Sequence, residues 1–137
     1  MAKLSLVFAL VLLSFGSFSQ SYGLVKRGPY QIAKLSSPGA DMHTLTYLDA
    51  SYQRIDIYNT IIFDATNETM DVIYNTFKEQ LSVEKNTEKT ISLSDNTIKL
   101  VTKRALGNPY LEVWMVHRGR VGYFALNEKE IDKLFLK

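Results

Sequence analysis

Enzyme chemistry would have to start from histidine, cysteine, an activated serine or paired carboxylates, and this chain offers few of them. It holds two histidines, His43 and His117, and no cysteine. The histidines lie far apart, with no HxxxH, HxH or HExxH spacing to set two imidazoles on one metal ion. Without cysteine there are no disulfides, no thiolate-held zinc, no iron–sulfur cluster and no thiol nucleophile. No GxSxG elbow or phosphate-binding GxxxxGK loop is present, so acyl and phosphoryl transfer lack a motif. The acids Asp49, Asp56, Asp64, Glu112 and Asp132 are scattered, and nothing singles out one pair for glycoside hydrolysis. There is no GxGxxG run and no calcium-loop pattern. The expectation is a protein without catalysis, metal or cofactor.

Binding chemistry is better represented. Alternation along Tyr110–Val116 puts Leu111, Val113 and Met115 on one strand face and Tyr110, Glu112, Trp114 and Val116 on the other. In the preceding strand Lys99, Val101 and Lys103 alternate against Ile98 and Leu100. One sheet face is thus expected to carry Lys99, Lys103, Tyr110 and Trp114. Arg104, His117, Arg118 and Arg120 would stand near its ends. Cations among aromatic rings suit stacking and the binding of anions. The competing reading is that Trp114 packs beneath a helix.

The elements that must hold this face follow from the hydrophobic periods. Tyr30–Leu35, Met42–Leu48 and Tyr52–Phe63 read as strands, the last with a bend at Asn59. Met70, Ile73, Tyr74, Phe77 and Leu81 then recur at helical spacing, giving a long helix over about 66–82, started by Thr66 or Asn67. Strands follow at 90–93, 97–102, 110–116 and 121–126, with Asp95-Asn96 as the first hairpin turn. Asn127 and Glu130 form a capping box for a short helix over about 128–135. The fold class is α+β, a mostly antiparallel sheet in βββ-α-ββββ-α order. Phe63 before Asn67-Glu68 and Phe124 before Asn127-Glu128 hint at two related (β)βββα units.

Residues 1–19 read as a secretory signal: Lys3, an apolar run from Leu4 to Leu13, and small residues at Ser17 and Ser19. The apolar run is about 10 residues, half of the roughly 20 needed to span a bilayer. Residues 20–29 read as a flexible lead-in, and 30–137 as a single α+β domain. An exported chain without cysteine points to a bacterial envelope, periplasmic or extracellular. The 16 basic and 14 acidic residues leave a net charge of +2, too balanced for a nucleic-acid tail.

Repeated four-stranded antiparallel units, each closed by a helix, are similar in topology to the repeats of PUR-type and whirly-type single-stranded nucleic-acid binders. No signature residue of either family is present, so none is assigned, and both the export signal and the near-neutral charge weigh against nucleic acid. The expected function is a small exported binding domain that recognises a protein or envelope component through a sheet face or edge. The alternatives are a single-stranded nucleic-acid module and a small hydrolase with an unrecognised site.

Overall fold

Alternating apolar residues pair into sheets here because each strand has one face to hide. The computed structural model describes residues 22–39, 41–52 and 54–137. The signal segment 1–19 lies outside the described residues. The first sheet is antiparallel in the order β1 (Tyr22–Arg27), β2 (Tyr30–Ser36), β3 (Met42–Leu48) and β4 (Tyr58–Asp64). Helix α1 (Asn67–Gln80) follows. The second sheet runs β5 (Glu88–Leu93), β6 (Asn96–Ala105), β7 (Asn108–His117) and β8 (Arg120–Asn127), and α2 (Glu128–Leu134) closes the chain. The expected α+β class, with a longer helix mid-chain and a short one at the end, is what the structure has.

Three local readings are corrected. Within the lead-in expected over 20–29, Tyr22–Arg27 form β1, a fourth strand in the first half. Val25 pairs opposite Ala33 and is 1% exposed, so a single well-placed apolar residue ties the segment down. Second, the strand expected from Tyr52 begins only at Tyr58. The Asp49 N–H donates to the Ile57 carbonyl at 2.8 Å, closing 49–57 into a loop, and Ile55 is left 64% exposed. Third, the β5–β6 turn lies one residue earlier than read. Leu93 pairs with Asn96, so Ser94 and Asp95 make the turn, with Ser94 at φ 51°.

Both helices begin on side-chain caps. Thr66 Oγ1 accepts from the Thr69 N–H at 3.1 Å. At α2 the expected capping box is formed, with Asn127 and Glu130 each satisfying the other's backbone N–H. These caps satisfy donors that a helix start otherwise leaves unpaired. The α1 stripe buries Ile73, Phe77 and Leu81, with Met70 and Tyr74 partly buried beside them.

Each helix packs against the sheet of the other half. Gln80 of α1 donates to Thr102 of β6 and to the Thr87 carbonyl, and Thr102 donates back to the Gln80 carbonyl. The α2 helix lies on β1, where a Cβ at Gly23 would collide with the Leu134 carbonyl. Arg27 of β1 makes a two-pronged pair with Glu130 of α2, at 2.9 and 2.8 Å, and also donates to the Ala125 carbonyl. Tyr74 and Lys78 of α1 both donate to Asp132 of α2, at 2.7 and 2.9 Å. One core cluster therefore draws on both sheets and both helices.

Candidate ligand-binding face and inter-sheet cleft

The inner phase of β7 is sealed: Leu111 and Val113 are fully buried and Met115 is 2% exposed. The outer phase, Tyr110, Glu112, Trp114 and Val116, is half-buried along its length. Antiparallel register then lines up Lys99, Trp114 and Tyr123 in one row across β6, β7 and β8. Trp114 stacks on Tyr123 with ring centroids 4.3 Å apart and planes at 20°. The Lys99 ammonium stands 5.7 Å from the indole centroid, a cation–π distance. The indole N–H donates to Glu112 at 3.3 Å. Two rows further along, past Val101 and Glu112, Lys103 pairs opposite Tyr110 and donates to Asn86 at 2.9 Å.

Of the residues singled out from sequence, four share this face: Lys99, Lys103, Tyr110 and Trp114, while Arg104 donates to the Gly107 carbonyl at the β6–β7 turn. Arg118 stands at the tip of the β7–β8 turn, at φ 49°. Arg120 falls in phase with Gly122 and Phe124 and lines a cleft on the other side of the sheet. The expected cluster is therefore divided. Tyr123 completes the face and was not singled out. Pairing the outer phase of Tyr110–Val116 with the next strand would have found it.

The cleft, about 680 Å³, opens between β4 with its preceding loop and the β7–β8 end. Its floor is Asp49, 2% exposed. Asp49 Oδ1 accepts from the N–H groups of Ser51 and Tyr123 at 3.0 and 3.3 Å, and Oδ2 accepts from Asn59 at 2.9 Å. Ala50 N–H donates to the Tyr123 carbonyl at 2.8 Å, so this loop caps the free edge of β8. A Cβ at Gly122 would sit 2.5 Å from Asp49 Oδ2 and 2.7 Å from the Tyr47 hydroxyl. The close approach therefore requires glycine. Burial pushes the Tyr47 phenol up; the Asn59 hydrogen bond opposes this, and the nearby Asp49 carboxylate adds to it. Sequence carried one sign of this site: Asp49 continues the inward phase of Leu45 and Tyr47, an acid where an apolar residue is expected.

The two histidines differ. His43 is 3% exposed and satisfied at both nitrogens. Its Nε2–H donates to the Ala65 carbonyl, so Nδ1 accepts from the Ser37 hydroxyl, each at 2.8 Å. His117 lines the cleft with one ring nitrogen engaged, by Asn96 at 2.6 Å. Among the described residues no group of three or more histidine or acidic side chains is arranged to hold a metal ion. No helix among them is long and apolar enough to cross a membrane. A scan against family models and searches of curated proteins and solved structures give no match to this chain.

Proposed function

We propose that this chain is a small non-catalytic binding domain, exported after loss of a leader ending at Ser19, which recognises a protein or envelope component through the outer face of the β5–β8 sheet. The observation that carries this reading is the Lys99–Trp114–Tyr123 row. It presents two stacked rings and a cation on the face opposite the buried Leu111, Val113 and Met115. A rigid aromatic anchor beside a cation is a typical centre of a binding surface, and it favours an anionic or aromatic ligand group.

Trp114 is the sole tryptophan, so intrinsic fluorescence reads this face directly. Titration with an anionic envelope polymer such as lipopolysaccharide should shift or quench the emission. Trp114→Ala should abolish binding, followed by calorimetry, while costing about 1 kcal/mol of stability, the worth of an aromatic pair. A loss of about 3 kcal/mol or more would make Trp114 a core residue instead. Oligo(dT) binding that falls steeply with salt would favour the nucleic-acid reading.

One observation favours a second reading. His117 and the Asp49 carboxylate line the same cleft, as a small hydrolase would need. Asp49, however, already accepts three hydrogen bonds, and among the described residues no serine lines the cleft as a nucleophile. Binding is the better account.

A further inference from the structure

Most polar groups lining the cleft are used up by one another: Asp49, Asn59 and Tyr47 form one closed set. Two are not. Asn96, 2% exposed, donates its Nδ2 to the Ile62 carbonyl at 3.3 Å, which leaves its Oδ1 as the acceptor facing His117. A carbonyl oxygen cannot donate, so His117 Nδ1 carries the hydrogen and, in the neutral ring, Nε2 carries a lone pair. A buried partner behind the ring thus fixes its tautomer. Directly across the antiparallel register, the Arg120 guanidinium makes no side-chain hydrogen bond or ion pair with any described residue. The cleft therefore offers one hydrogen-bond acceptor and one cationic fork side by side, with Tyr52 and Tyr58 also in its lining.

The complement of that pair is a small molecule bearing both a carboxylate and hydroxyl groups. The volume, about 680 Å³, lies within the range of small-molecule sites and is too small for a folded partner. We infer that the cleft is a second binding site for a sugar acid of the hexuronate class. Arg120 takes the carboxylate bidentately and His117 Nε2 accepts from a ring hydroxyl. This site is separate from the Trp114 face and stands or falls without it.

The test is calorimetry on the whole chain with three probes: glucuronate, glucose (hydroxyls without the charge) and acetate (charge without hydroxyls). Glucuronate should bind with Kd of about 1 mM or tighter, and the other two at least about tenfold more weakly, because each lacks one of the paired contacts. Arg120→Gln should weaken glucuronate by about tenfold or more. His117→Gln, which still offers an acceptor, should bind better than His117→Leu. Glucuronate that gives no heat, that binds no better than acetate, or that is unaffected by Arg120→Gln would overturn the assignment. The three-probe comparison decides it on the unaltered protein even if a variant fails to fold.

Discussion

At the centre of the first sheet the outward row across β2, β3 and β4 is Lys34, Thr46 and Thr60, with the two threonine hydroxyls 3.0 Å apart. The equivalent row across β6, β7 and β8 is Lys99, Trp114 and Tyr123. The inward rows beside them are alike: Leu35, Leu45 and Ile61 in one half, Leu100, Val113 and Phe124 in the other, all buried. The same connectivity thus repeats an apolar interior and leaves the outer positions free to diverge. Both rows begin with a lysine; one continues in short hydroxyls, the other in stacked rings. Their loops diverge too. The β7–β8 connection is a two-residue turn, while β3–β4 uses residues 49–57, long enough to reach over β8 and floor the cleft.

The largest expected effect tests whether the halves are energetically one body. Phe77 of α1 is 3% exposed and touches Phe135, beyond α2, edge to face at 5.2 Å. Phe77→Ala should cost about 3–5 kcal/mol, the usual range for truncating a buried aromatic ring. Urea denaturation should still show a single transition. Two separate transitions would break the picture of exchanged helices and a shared core.

A smaller effect sharpens the contact between β1 and α2. Burial raises the Glu130 carboxyl, but hydrogen bonds from Arg27 and the Asn127 N–H outweigh it, so its folded value lies below the ordinary 4.5. A depressed carboxyl contributes stability above its unfolded value and loses it as pH falls through the folded one. Stability should therefore decline on acidification below about pH 4.5. Glu130→Gln should flatten that decline and cost about 1–2 kcal/mol at neutral pH, Arg27 being half exposed and partly screened. Thermal melts across the acid range would show an unchanged slope if the pair contributes nothing.

The smallest effect concerns the long hairpins of the second half. Leu106 sits at φ 51° with its side chain fully exposed at the β6–β7 turn. The left-handed region is costly for leucine and tolerated by asparagine. Leu106→Asn, which makes an Asn-Gly turn, should gain about 1 kcal/mol. A destabilised variant would show that Leu106 makes a contact its exposure does not reveal.

Elements whose patterns are local were legible in the sequence. The Met70–Leu81 stripe, the Asn127–Glu130 box and the alternation of Tyr110–Val116 each name their own structure. β1 was hidden because Lys26 and Arg27 break the apolar alternation and, of its larger side chains, only Val25 is buried. The 52–57 segment misled because Ile55 and Ile57 alternate like a strand while Asp49 holds them in a loop. The face was half legible, since Trp114 and Lys99 follow from parity but Tyr123 needs the pairing. The cleft left a single sign, Asp49 in the inward phase of Leu45 and Tyr47. Asp49, Asn59, His117 and Arg120 come from four segments, and no spacing in the chain announces their meeting.

The pairing of Arg27 with Glu130 spans 103 positions, which has a kinetic consequence. α2 is synthesised long after β1, yet β1 is not covered until α2 docks on it. Contacts this distant in sequence close slowly, because the loop entropy must be lost before they reward the chain. The first sheet can pair early, but its outer strand stays uncovered until the last turn of chain arrives. A nascent chain built this way cannot finish covering β1 ahead of α2, and for a protein proposed to be exported, that delay leaves β1 uncovered until α2 has been made.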